Sequence, residues 1–185
     1  MKRLIIRATF AGLCALSLAA CVDSAAPILT DAKPEFGPRL NLQLYTLRKG
    51  VAGEPEKVQF AWNGKLYAHT GGGMKDVSAI ALHPFEAGDY IIESIPVRPR
   101  QNTEYALLHK LASGAYLVIA IDETNADEAT RASNCKHPGN AACRIETREQ
   151  LLAFAQATAA RSKDEGGLVL RLPDASERPA RRHKR

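Results

Sequence analysis

Aromatic residues are scarce: five Phe, five Tyr and one Trp make up 6% of a 185-residue chain. Cysteine is scarcer, at four, which excludes a disulfide-built scaffold. No apolar run approaches the roughly 20 residues needed to span a bilayer, so a multi-spanning membrane protein is excluded as well. Motifs with a stated chemistry are also missing. There is no Cys-x-x-Cys-His for c-type haem, no His-Glu-x-x-His, no Gly-x-Ser-x-Gly elbow and no Gly-Lys-[Ser/Thr] phosphate loop. What is present is 45% apolar and 24% charged residues, a composition that buries a core and argues against disorder. One globular domain is expected.

The first 21 residues carry a processing signal. Lys2, Arg3 and Arg7 precede an apolar stretch over residues 8–18, the layout of a secretory signal peptide. Leu18-Ala19-Ala20-Cys21 then resembles the lipobox of bacterial lipoproteins. That resemblance implies cleavage before Cys21, lipidation of its thiol and acylation of its new amine. Several acyl chains, at about 0.8 kcal/mol per buried CH₂, anchor a protein stably. Val22 follows the cysteine, whereas Asp at that position retains enterobacterial members in the inner membrane, so the resemblance implies an outer-membrane anchor facing the periplasm. Residues 1–20 are read as signal peptide, 21–38 as acylated N-terminus and tether, 39–173 as a single β-rich domain and 174–185 as a basic disordered tail.

The formal charge of +5 includes three basic residues of the signal. Without them 22 basic residues face 20 acidic ones, and five of the 22 lie in residues 178–185. A mildly acidic body with a basic tail is therefore expected. The tail's Arg181, Arg182, Lys184 and Arg185 are candidate contacts for anionic envelope phosphates or carboxylates, at about 1 kcal/mol per basic group near an anionic surface. Nucleic acid is not an expected partner in that compartment.

Cys14 leaves with the signal and Cys21 is acylated, which leaves Cys135 and Cys143. In an oxidising envelope, a pair this close with Pro138-Gly139-Asn140 between them is expected to form a disulfide. The rival, a metal bound by Cys135, His137 and Cys143, lacks a fourth ligand and a recognised spacing. No metal and no cofactor is expected.

The domain reads as strands. Leu40, Leu42 and Leu44 alternate with polar residues, and Val58 to Trp62 is followed by Asn63-Gly64 and a second run through Tyr67, a hairpin signal for a type I′ turn. Residues 81–95 align without gaps on 107–121, sharing Leu82/Leu108, His83/His109, Gly88/Gly114, Tyr90/Tyr116 and Ile95/Ile121. Each copy reads as strand, Gly-containing turn, strand. Thr147-Arg-Glu-Gln150 has the form of a capping box, and Leu151, Phe154, Ala155, Thr158 and Ala159 recur at helical spacing. Leu168 to Leu172 reads as a last strand stopped by Pro173. The expected fold is α+β: an antiparallel β-meander of six to eight strands, curled or barrel-like, with one α-helix in the C-terminal half packed on it and a final strand. This plan over residues 58–172 resembles a type of uncharacterised bacterial exported protein, a resemblance that implies no activity.

Candidate sites are sparse. His83 and His109 hold equivalent repeat positions and are read as structural, since two ligands make no metal site. Gly71-Gly72-Gly73 reads as a loop, and Asp122, Glu123, Asp127 and Glu128 as a solvated acidic loop without calcium spacing. Trp62 and Tyr67 flank the Asn-Gly turn as candidate binding aromatics. The expected function is a lipid-anchored envelope protein that binds, without catalysis, another envelope component: a protein, peptidoglycan or lipopolysaccharide. The alternatives are an inhibitor of an envelope-directed hydrolase and an envelope enzyme without a recognisable motif.

Overall fold

Alternation of apolar and polar residues builds the sheet. The computed structural model describes residues 22–48, 51–98, 101–135, 143–161 and 168–171. Among these residues eleven strands, one mostly antiparallel sheet, form over Val22–Ser24 (β1), Arg39–Arg48 (β2), Val51–Ala52 (β3), Glu56–Trp62 (β4), Tyr67–Gly72 (β5), Val77–Pro84 (β6), Tyr90–Pro96 (β7), Thr103–Lys110 (β8), Tyr116–Ala120 (β9), Cys143–Arg144 (β10) and Leu168–Arg171 (β11). Helices run over Glu128–Asn134 (α1) and Arg148–Arg161 (α2). From β4 to β9 each strand pairs antiparallel with the next. β11 enters between β9 and β2, and β2 pairs β4, so the pairing order returns to its start. The expected curled, barrel-like meander with a C-terminal helix is the observed fold. It exceeds the expected strand number because β1, β3 and β10, of two or three residues each, are too short to show a period.

Inward-facing residues make the first core. Leu40, Leu42, Leu44, Val58, Phe60, Ile80, Leu82, Ile92, Leu108 and Val118 fill the space enclosed by the sheet. The two repeat copies are the hairpins β6–β7 and β8–β9, and Gly88 (φ 85°) and Gly114 (φ 81°) take the left-handed conformation at their turns. Tyr90 and Tyr116, equivalent in the repeat, both pack on Phe36, at ring-centroid distances of 5.4 and 5.5 Å.

A second core lies on the outer face of β7 and β8. Ile91, Tyr105 and Leu107 meet Leu151, Phe154 and Ala155 of α2, together with Val22, Leu29 and Ile145. The capping box forms as expected. Thr147 Oγ1 accepts from the Gln150 amide at 3.3 Å, and Gln150 Oε1 accepts from the Thr147 amide at 3.1 Å.

Three expectations change. Residues 22–38 are not a free tether: Val22 is fully buried, β1 pairs β8 and β10, and the Lys33 amide donates to Leu82 O at 3.2 Å. This strap runs from the outer core to Phe36 in the inner one, and its irregular spacing with three prolines hides its burial from pattern reading. The 122–128 acidic segment is structured, because Asp122 and Asp127 cap a short turn and α1 by accepting backbone amides; two helices result, not one. The Asn63-Gly64 hairpin has a four-residue connection between Trp62 and Tyr67 in place of the two-residue type I′ turn. Gly64 alone of the pair has positive φ, and Asn63 Oδ1 accepts the amides of Lys65 and Leu66, both at 3.0 Å.

Candidate functional site

A group of titratable side chains joins the strap to the sheet and α2. His83 on β6 and Glu93 on β7 point outward from the sheet, beneath the strap, and are only 2% and 1% exposed. His83 Nδ1 is 2.8 Å from Asp31 Oδ1, and Arg148 Nη2 at the start of α2 reaches Asp31 Oδ2 at 3.0 Å. Glu93 Oε1 accepts the Ile28 amide at 3.0 Å. Tyr105 Oη and Ser24 Oγ share a hydrogen bond of 2.6 Å. One polar chain thus ties strap, sheet and helix.

The electrostatics follow from burial and pairing. Desolvation pushes the Asp31 carboxyl up, but the His83 hydrogen bond, the Arg148 charge and its own backbone outweigh it and hold the group below its ordinary value. An ionised Asp31 accepts, so His83 Nδ1 carries the proton. The other ring nitrogen, Nε2, is buried without a hydrogen-bond partner; Glu93 Oε2 stands 3.4 Å away, close enough for attraction but not aligned to accept. Burial drives the Tyr105 hydroxyl well above its usual range, against the Ser24 hydrogen bond and with the Glu93 charge. So enclosed a hydroxyl keeps its proton and serves the hydrogen bond to Ser24.

His109, the repeat partner of His83, makes its own pair with Asp89 at 2.8 Å. The full β7 strand lies between the two histidines, so they share no ligand. The repeat duplicates the imidazole but not its partner, since Asp31 comes from the strap and Asp89 from the hairpin turn.

A second cluster joins three separate elements. Cys135 caps α1, Cys143 opens β10 and Glu123 lies in the turn after β9; one donor atom of each falls within 4.8 Å of the others. Both thiols are free and buried in this structure. The expected pair is therefore brought together but not joined. Burial, then Cys135, Glu123 and Asp23, push the Cys143 thiol far above its ordinary value. These three residues are the set among the described ones that could hold a metal ion; they offer three donors where a closed tetrahedral zinc site uses four.

The candidate aromatics do not share an exposed face. Tyr67 is fully buried in the inner core and its hydroxyl donates to Gly37 O at 2.7 Å. Half-buried Trp62 packs on it, centroid to centroid 5.2 Å. Gly72 serves strand contact, not phosphate binding: a Cβ there would meet Lys57 O at 2.1 Å. Cys21, Arg181, Arg182, Lys184 and Arg185 lie outside the described residues. Sequence reading missed Asp31, Glu93 and Asp89, whose partners are distant or in turns; a repeated buried histidine was the only local signal.

The enclosed space does not form a ligand cup. Its cavity, lined by residues such as Phe36, Leu42, Ile92 and Tyr116, measures about 20 Å³, room for one water, whereas small-molecule sites run to about 300 Å³ or more. Comparison with protein-family models, curated proteins and solved structures finds no match.

Proposed function

We propose that the chain is a lipid-anchored cell-envelope protein acting as a non-catalytic binding module on the periplasmic side of the outer membrane. The anchor rests on the lipobox Leu18-Ala19-Ala20-Cys21. The observation that carries the binding reading is the filled interior: with a cavity of about 20 Å³ among the described residues, a ligand of useful size finds no room inside the sheet and meets the outer surface, where a macromolecule binds. The buried histidine and carboxylates are spent on internal pairs, which favours binding over acid–base chemistry.

The partner is another envelope component: a protein, peptidoglycan or lipopolysaccharide. Photo-crosslinking of the acylated protein in intact cells tests this. One recurring neighbour, lost when Cys21→Ala releases the protein from membranes, supports the reading; a protein with no neighbour that turns over a small molecule overturns it.

A second reading, inhibition of an envelope-directed hydrolase, is favoured by one feature. The loop between Trp62 and Tyr67 exposes Asn63, Gly64 and Lys65, and Asn63 Oδ1 holds it rigid with two hydrogen bonds of 3.0 Å. Such a loop fits a cleft with little loss of entropy.

A further inference from the structure

We propose that the domain is held directly against the phospholipid surface, with the edge formed by β1, β10 and the 122–127 loop turned to the headgroups. The inference rests on the lipid-anchor reading and adds a contact surface to it.

Reach decides the matter. A free tether over residues 22–38 would let the domain wander about 20–25 Å from its anchor. The structure removes that length. Val22 is fully buried, its amide donates to Ile121 O at 3.1 Å, and it is registered against Cys143. Only Cys21 then separates acyl chains from packed core, and one residue spans less than about 4 Å.

Position in the sheet decides which side faces the lipid. β1 pairs β8. Around the ring of pairings β4 lies four steps from β8 in either direction, so the exposed Lys65 beyond the end of β4 sits on the opposite wall. Thr124, exposed in the loop that begins at Ile121, lies on the anchored side. Charge does not draw that edge to the membrane, because Asp122, Glu123 and Asp127 are acidic. The apposition is covalent in origin and insensitive to salt, unlike an electrostatic docking.

The test uses the acylated full-length protein in vesicles of phosphatidylethanolamine and phosphatidylglycerol that contain a headgroup-nitroxide lipid. A fluorescent amino acid replaces Thr124 in one sample and Lys65 in another. Quenching several-fold stronger at 124 than at 65, unchanged by salt, is expected. A flexible Gly/Ser spacer inserted between Cys21 and Val22 is expected to remove the difference. Equal quenching at both positions in protein whose mass shows the acyl chains overturns the apposition and leaves the anchor standing, as does a spacer without effect. A mass without acyl chains overturns the anchor reading itself, and the apposition with it.

Discussion

His83 Nδ1 meets Asp31 Oδ1 at 2.8 Å across 52 residues of sequence, and this contact, with Glu93 below and Arg148 above, fastens the strap to the sheet. A histidine nearly sealed from water is tolerated because one nitrogen is satisfied and two carboxylates flank it.

Acid should loosen this seam. The Asp31 pKa is lowered in the fold, so its contribution to stability is complete above the unfolded value of about 3.9 and is lost as pH falls through the folded value. Asp31→Asn should lower the melting temperature at neutral pH, and the gap to the parent should narrow below about pH 4. Thermal unfolding across pH measures this. A gap that stays constant down to the lowest pH would show that the carboxylate charge contributes nothing.

The strap should be structural. Truncating buried Leu29 (7% exposed) to Ala should cost about 2–5 kcal/mol, and a charge at fully buried Val22, as in Val22→Asp, should cost several kcal/mol. Both changes would be silent in a tether. Denaturant unfolding curves indistinguishable from the parent for both variants would restore the tether view.

How far the sequence discloses this fold depends on how local each cause is. The capping box of α2 is visible because Thr147 and Gln150 act within one turn, and the hairpins are visible because their glycines recur with the repeat. The strap is not: Leu29 and Phe36 follow no period, and their burial is decided by strands that come later in the chain. The same holds for the site. Two histidines at matching positions are evident, but Asp31 and Glu93 join His83 only through tertiary contact, and whether Tyr67 is core or surface is decided only by its burial, with Gly37 accepting its hydroxyl hydrogen bond.

α2 should contribute through one face. Phe154 is fully buried against the outer side of the sheet, and Phe154→Ala should cost roughly 3–5 kcal/mol by lost burial and a residual cavity. Arg148 is half-exposed, and its 3.0 Å pair with Asp31 is of the surface kind, worth about 0–1 kcal/mol. Arg148→Ala should therefore shift chemical denaturation little, and a loss equal to that of Phe154→Ala would refute the assignment of faces.

Gly72 and Gly64 separate two costs of a side chain. Both have positive φ, 90° and 97°, but only at Gly72 does a Cβ strike backbone, 2.1 Å from Lys57 O. Gly64→Ala should cost about 1–2 kcal/mol from the left-handed conformation alone. Gly72→Ala should cost more, because β4 must move away. Equal melting temperatures for the two variants would mean that the β4–β5 pairing, whose register shifts between Gln59 and Phe60, yields freely.

The two thiols should behave as a lock on the helix entry. Cys135 ends α1, Cys143 begins β10, and α2 starts four residues after β10 ends, so a bond between the sulfurs would tie α1 to the strand that leads into α2 and pairs with β1. Protein taken from an oxidising envelope should resist alkylation at both positions until reduced. Closing so short a loop stabilises by about 2.5 kcal/mol in the chain-entropy model. After reduction Cys143 should alkylate slowly near neutral pH and faster as pH rises, because burial and the neighbouring Cys135, Glu123 and Asp23 hold its proton, and only the thiolate attacks. Reduction should also free the entry of α2 before the hairpins, which keep their own pairings and inner core. Hydrogen exchange decides this: protection should fall first over residues 147–161, and an equal or larger loss over residues 81–121 would show that the cysteines lock the sheet instead.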